Sequence, residues 1–331
     1  MMKTALLSKW HVHAQEYAEE ALQNEHITLT HVWDEEKERG KAWADELGLT
    51  FEEELDSIFN NPEIDAVIVA SPTSMHTEII TKAAQHGKHV FTEKVLADTE
   101  AEAAAILQEV ERNGVKLMVS LPRLTADYYL YAQQIVDQGI LGKLTTIRCR
   151  VAHNGSVPTE QHPVGWLPSH FYDKELCGGG AFIDLGAHPI YLTNRLGGEG
   201  KAVTARFQQT FDHGVDDNAV AIVEYQSGAL GILETGFVSS GSPFQLEVYG
   251  TEGTLMIEDG NIRIKSINLE EGWHSPSEEE LPKDAPSAMT QWVSEIRTGK
   301  KPDISPQDAY LLTLINDAAR RSNEEGRRIE L

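Results

Sequence analysis

Apolar positions recur along this chain in two different rhythms. Up to Ser120, short apolar runs alternate with amphipathic stretches. Thr4–Leu7 is a short apolar run, and Ile64–Ala70 (IDAVIVA) is a continuous one, the pattern of a strand covered on both faces. Ile27–Trp33 is β-branched and strand-like, and His89–Thr92 and Val115–Ser120 read as further short strands. Between them Val12–Gln23, Glu35–Leu47, Thr77–Gln85 and Glu100–Asn113 carry helical spacing. Gly48, Gly87 and Gly114 stop the last three, and Asp98 or Thr99 caps the alanine-rich Glu100–Asn113. Such alternation predicts a parallel, doubly wound sheet.

After the helix expected over Ala126–Gln138 the rhythm changes. Leu144–Val151, Ala202–Thr210, Ala219–Tyr225, Ala229–Phe237, Phe244–Gly250, Gly253–Glu258 and Asn261–Lys265 read as strands separated by glycine-bearing turns. They predict a large, open, mostly antiparallel sheet. Helices are expected at Phe182–Arg195, Ser287–Thr298 and Pro306–Asn323, the last capped by Ser305, and Glu270–Pro286 reads as a surface loop. With the boundary near Pro122, the expectation is an α/β protein with one domain over 1–121 and a second over 122–331.

Composition narrows the partners. The 331 residues carry 28 Lys and Arg against 52 Asp and Glu, a net charge of −24. That balance repels phosphate backbones and anionic lipid, so neither nucleic acid nor membrane is expected as a partner. Apolar residues make up 40%, too many for a disordered chain. No stretch approaches the roughly 18 apolar residues of a membrane span. The N-terminal apolar run is too short for a signal peptide. Two cysteines, Cys149 and Cys177, make no disulfide framework, so a reducing cytoplasm is the expected compartment.

Candidate chemistry clusters at the ends of the first-half strands. The turn after Leu7 reads Ser8-Lys9-Trp10-His11-Val12-His13, with Ser8, Trp10 and His13 where a dinucleotide loop has its three glycines. It is either a shortened loop that still offers a helix N-terminus and the Ser8 hydroxyl to a phosphate, or a turn that has lost that role. Asp34, at the tip of the second strand, has the position of an acid that accepts ribose hydroxyls and repels a 2′-phosphate; it is equally a helix cap. Ser71-Pro72 follows a buried parallel strand, where ligands bind in open sheets, and is otherwise an ordinary turn. Glu93-Lys94 offers a donor or proton-transfer group at a strand end, or a plain charged pair. In the second half Gly178-Gly179-Gly180 precedes Asp184 and His188, spaced i, i+4, so one helix face would carry a carboxylate beside an imidazole. The glycines let the backbone pass close to a ligand or to another segment. Two ligands do not make a zinc site, and no metal is expected. Trp10 and Trp166 read first as packing residues, and Cys177 as a small buried hydrophobe.

Together these segments resemble the Gfo/Idh/MocA family of dinucleotide-dependent oxidoreductases. The resemblance is carried by DAVIVASPTSMH with GKHVFTEK within Glu63–Val95, by GGGAFIDLGAHPIYL over Gly178–Leu192, and by the tail segments Ile304–Tyr310 and Arg320–Ile329. It implies an N-terminal Rossmann domain and a C-terminal α/β domain whose open sheet forms a homodimer or homotetramer. It implies NAD as cofactor, held by Ser8, Trp10, His11, Asp34, Ser71, Pro72, His76, Glu93 and Lys94. His13 matches the family's histidine on the first helix. The catalytic residues would be Lys94, Asp184 and His188, which also face the substrate, joined there by Arg123, Trp166, His170 and Tyr172. Two departures stand out: Val95 replaces the proline of the family's E-K-P motif, and the glycine loop is missing.

The activity implied is hydride transfer to or from a secondary alcohol of a sugar, sugar acid or cyclitol. His188 would take the hydroxyl proton, Lys94 would hydrogen-bond the same oxygen, and Asp184 would hold and polarise the pair. Two alternatives stand beside it: a redox-neutral, NAD-dependent glycoside-cleaving enzyme, and a non-catalytic sugar- or nucleotide-sensing protein.

Overall fold

In the computed structural model, which describes Met1–Leu331, the chain runs β1 (Met2–Leu7), α1 (Ala14–Gln23), β2 (Ile27–Trp33), α2 (Lys37–Leu47), β3 (Thr50–Phe51), α3 (Leu55–Asn60), β4 (Ala66–Val69), α4 (Thr73–Gln85), β5 (His89–Thr92), α5 (Glu100–Asn113), β6 (Leu117–Val119) and α6 (Asp127–Asp137). There follow β7 (Leu144–Ala152), α7 (Lys174–Cys177), α8 (Ala181–Asp184), α9 (Ala187–Gly197), β8 (Gly200–Gln208), β9 (Asn218–Tyr225), β10 (Leu230–Gly236), β11 (Gln245–Gly250), β12 (Gly253–Glu258), β13 (Asn261–Ser266), α10 (Ala288–Thr298), α11 (Pro306–Glu325) and β14 (Ile329–Glu330).

These elements form two units. The first comprises Met1–Leu121 with Pro286–Tyr310, and the second Pro122–Ala285 with Leu311–Leu331. The first boundary coincides with the one read from the sequence. Pro286–Tyr310, expected with the second domain, packs with the first. Trp292 of α10 is fully buried with its ring 5.8 Å from Phe91, and Glu295 pairs with Lys116 at 3.0 Å.

The first unit holds a six-stranded, wholly parallel sheet in the order β3-β2-β1-β4-β5-β6. This is the Rossmann arrangement expected, with the order reversing between β1 and β4, the switch point beside which ligands bind. Every residue of β4 is buried, as its unbroken apolar run requires. Thr99 and Glu102 form a reciprocal capping box on α5, and Gly114 ends that helix in the left-handed conformation.

The second unit is built on an eight-stranded sheet, β13-β12-β11-β7-β10-β9-β8-β14. All its pairings are antiparallel except β7 with β10. Along β9 buried and solvent-facing positions alternate, leaving Val220 and Ile222 on the open face. The helix expected as one over Phe182–Arg195 is two, α8 and α9, with Leu185–Gly186 between them. The break has a local cause. The Gly186 N–H reaches back to Ala181 O and the His188 N–H to Leu185 O, so the regular ladder is interrupted between Asp184 and His188. No helix is long and apolar enough to cross a membrane.

Candidate active site

In the first unit the β1–α1 turn closes largely on itself. Ser8, wholly buried, has φ +74°, the conformation a glycine would normally supply. Its N–H donates to Trp33 O at 2.7 Å and its Oγ accepts the Trp10 N–H at 3.0 Å. The Lys9 N–H donates to Asp34 Oδ2, that of His11 to Ala70 O, that of His13 to His11 Nδ1 and that of Ala14 to His11 O. A glycine loop keeps such amides for a pyrophosphate; here most serve the turn itself. Trp10 and His11 are buried with it, at 7% and 6% exposure, while Lys9 and His13 reach solvent.

Asp34 is sealed from solvent and saturated. It accepts the N–H groups of Lys9 and Glu36, each at 2.8 Å, and both Nε and Nη2 of Arg39 at 3.0 and 2.6 Å. Gly40 makes this clamp possible, because a Cβ there would stand 2.4 Å from Asp34 Cβ. Beside the clamp a cleft of about 330 Å³ opens between the β2 tip and α4, lined by Trp33, Glu35, Leu55, Met75, Ile79 and Lys82 among others.

Glu93, at the end of β5, is the buried hub of this unit. Its Oε2 accepts the Tyr17 hydroxyl, lies 3.1 Å from His13 Nδ1 and 3.6 Å from His11 Nδ1. Burial alone would raise its pKa, but the charges of His11, His13 and Lys94 outweigh that and hold it well below the usual carboxylate range. Burial opposes protonation of His13, yet the hydrogen bond and charge of Glu93 prevail and its pKa is raised. Burial, reinforced by the Glu93 charge, drives the Tyr17 phenol well above its ordinary range. The donor atoms of His11, His13 and Glu93 lie within 4.8 Å of one another, close enough to hold a metal ion. The Tyr17 hydroxyl and the His13 imidazole already serve that carboxylate oxygen.

Lys94 follows, buried at 6% exposure, and the Lys94–Val95 peptide is cis. His76 is completely buried, its ring nitrogens facing Val95 O at 2.9 Å and Ser71 O at 3.2 Å. It thus ties the turn after β5 to the Ser71-Pro72 turn after β4. Burial lowers its pKa.

In the second unit the glycine run answers a question the sequence left open. A Cβ on Gly180 would stand 2.0 Å from Asp216 O, so the close neighbour is another chain segment. Asp216 Oδ2 accepts the Phe182 N–H at 2.8 Å and Oδ1 the Gly180 N–H at 3.2 Å, fixing the start of α8. Burial raises the Asp216 pKa. His188, in the first turn of α9, presents Nδ1 to the Tyr191 hydroxyl at 2.8 Å.

The variable segment before the glycines brings several aromatic side chains together. Leu167 and Phe171 share an apolar cluster with Ala181 and Phe237, against which Tyr172 and Leu185 pack. The Tyr172 hydroxyl pairs with Ser156 Oγ at 2.9 Å, and its ring stacks on His213 at 4.2 Å. Trp166, 46% exposed, donates to Asn154 Oδ1 and lies 4.8 Å from the His153 ring. Burial lowers the His153 pKa, opposed by the charge of Asp184. His170 packs its ring on Phe171 at 4.8 Å. Arg123 stands apart from that group, over the Phe244 ring at 4.6 Å and bonded to the Tyr128 hydroxyl. Sequence reasoning passed over Tyr17, His153, Asp216 and Tyr191. Only Tyr191, one helical turn beyond His188, carried a local signal.

Residues 9–121 match the family described as "Oxidoreductase family, NAD-binding Rossmann fold", and residues 129–256 match the GFO/IDH/MocA C-terminal domain. The chain belongs to the Gfo/Idh/MocA family. Within it, the chain is similar to a scyllo-inositol 2-dehydrogenase (NAD(+)) of Bacillus subtilis, at 29% identity over 319 residues covering 92% of this chain and 88% of the relative. It is 24% identical to a Myo-inositol 2-dehydrogenase of Thermotoga maritima, covering 83% and 82% respectively. Among solved structures, a levoglucosan dehydrogenase in complex with NADH and levoglucosan shares its fold, with TM-score 0.84 at 20% identity over 99% of both chains. The protein is an oxidoreductase of this family, with a nicotinamide-binding first unit.

Proposed function

We propose that this chain is an NAD-dependent dehydrogenase acting on a secondary alcohol of a cyclitol, sugar or sugar acid. The observation that carries the reading is that Lys94, Asp184 and His188 all stand at the motif positions of a family whose relatives include scyllo- and myo-inositol dehydrogenases. Bound NAD supplies a hydride acceptor or donor. The cleft beside Glu35 and Met75 suits its adenosine. Ser71, Pro72, Glu93 and Lys94 serve the nicotinamide side. Ser8, Trp10, His11, Asp34 and His76 support the cofactor by holding the turns around it, through the hydrogen bonds they make there. Lys9 and His13 offer cationic side chains in place of glycine amides. In the second unit the rings of Trp166 and Tyr172, with His153, Asn154, Ser156 and His170, suit a ligand with flat C–H faces and many hydroxyls. Arg123 adds a cation for a more acidic one.

A self-associating assembly through the C-terminal sheet is supported by its open apolar positions Val220, Ile222 and Leu230, each more than 40% exposed. Two free, buried cysteines support a reducing compartment such as the cytoplasm. One observation favours a second reading, a nucleotide- or sugar-sensing protein: the β1–α1 amides are largely engaged within the turn.

The deciding experiment is a screen of inositols and aldoses with NAD⁺, followed at the NADH absorbance. Turnover is expected on at least one cyclitol or sugar, and Lys94→Ala and His188→Ala should each lower kcat/KM by roughly 10²–10⁴-fold. Full activity in either variant would remove that residue from the reaction.

A further inference from the structure

Asp34 stands where an acid binds the adenosine ribose in this fold, yet its accepting capacity is full. A carboxylate offers about four lone pairs. Oδ2 accepts from the Lys9 N–H at 2.8 Å and Arg39 Nε at 3.0 Å, and Oδ1 from the Glu36 N–H at 2.8 Å and Arg39 Nη2 at 2.6 Å. A ribose hydroxyl would have to displace one of these donors from a buried carboxylate. Glu35 is in the opposite condition. It lines the cleft of about 330 Å³ between the β2 tip and α4. Its Oε1 accepts from Arg39 Nη2 at 2.5 Å, while Oε2 is withdrawn from water and has no hydrogen-bond partner. An acceptor left in that state costs free energy, and a donor brought by a ligand removes the cost. Trp33, Leu55, Met75 and Ile79 line the same cleft and give it apolar surface for a flat base.

We propose that Glu35, in place of Asp34, recognises the adenosine ribose of NAD, its carboxylate accepting the 2′-hydroxyl and its charge turning away a 2′-phosphate. This rests on the reading that the chain binds NAD, and adds to it the residue that selects NAD over NADP. The cations of the cleft are already paired and offer a phosphate little. Lys37 pairs with Glu53, Lys82 with Glu78 at 2.9 Å, and Arg39 with Asp34, Glu35 and Glu36. Asp34 is then a positioning residue. It holds Arg39 from two sides, and Arg39 Nη2 in turn fixes Glu35 Oε1 and leaves Oε2 to the ligand.

The test titrates the nucleotide-free full chain with three probes: NAD⁺, the analogue whose adenosine ribose lacks the 2′-hydroxyl, and NADP⁺. In the wild-type protein, loss of the 2′-hydroxyl should weaken binding by about tenfold or more, the worth of a hydrogen bond to a charged group. In Glu35→Ala, NAD⁺ should bind about tenfold or more weakly, and the deoxy analogue should match NAD⁺ to within about twofold, because the group that told them apart is gone. A merely structural role for Glu35 would weaken both probes and keep the gap between them. A gap as wide in Glu35→Ala as in the wild type therefore overturns the proposal, and so does a wild-type protein indifferent to the 2′-hydroxyl. Should Glu35→Ala fail to fold, Glu35→Gln keeps the shape and removes the charge. Its preference for NAD⁺ over NADP⁺ should fall by about tenfold, and an unchanged preference would overturn the proposal. A folded wild-type protein that binds none of the probes would remove the NAD reading and this inference together, whereas NAD⁺ binding with the gap unmoved removes this inference alone.

Discussion

A carboxylate at the bottom of a protein is stable only if its surroundings replace the water it lost, and Glu93 shows how this chain does it. Tyr17, His13 and His11 converge on one oxygen, and Lys94 adds its charge from the next position. Removing one member of such a buried set costs about 3 kcal/mol, because the partners keep their own burial without its charge. Glu93→Gln should therefore destabilise the protein by about that amount at pH 7, read as a lower urea midpoint. The pH dependence has a definite sign. Glu93 is held below its unfolded value of about 4.3, so its contribution is present above that pH and fades as the pH falls below it. His13 is raised above its unfolded value of about 6.5, so its share is complete below that pH and is lost as the pH rises through the folded value. The gap between wild type and Glu93→Gln should thus narrow on both the acid and the alkaline side. A gap constant from pH 3 to pH 10 would mean that the network does not act through charge.

At the scale of elements, backbone approach decides where the second unit's chemistry stands. Gly180 passes so close to Asp216 that any Cβ would collide with main chain, which cannot move aside as a side-chain tip can. Gly180→Ala should cost about 2–3 kcal/mol and also lower kcat/KM, because α8 carries Asp184. Wild-type stability in that variant would show the segment to be more compliant than its packing suggests. The same element marks the limit of sequence reading. Five of the six strands of the parallel sheet were legible, β4 most clearly because burial on both faces leaves an unbroken apolar run, while the two-residue, part-exposed β3 left no such run; the Thr99 cap was legible because its partner Glu102 is three residues away. Lys94, Asp184 and His188 were legible as motif residues. The division of α8 from α9 was not, since it depends on which carbonyls the amides of Gly186 and His188 reach. Asp216 was hidden for a related reason: its partners Gly180 and Phe182 lie 36 and 34 residues away. So was the docking of Pro286–Tyr310 on the first unit, which rests on contacts such as Trp292 with Phe91.

For the whole molecule, two properties set its behaviour in solution: a net charge of −24 and a broad sheet with apolar side chains on its open face. The charge keeps separate molecules apart, while the face suits the self-association proposed above. Sedimentation at micromolar concentration should give a dimer or tetramer, and Ile222→Glu should shift it toward monomer without loss of folding. A wild-type protein that sediments as a monomer would contradict this use of the sheet. The larger question is whether a nucleotide turn without glycine still serves its cofactor. Titration calorimetry of the folded, nucleotide-free protein answers it most directly. The titration should show one NAD⁺ site per chain, with NADP⁺ weaker by at least about tenfold, or about 1.4 kcal/mol. No heat with NAD⁺, NADH or NADP⁺ would contradict it and leave the sensing protein as the better reading.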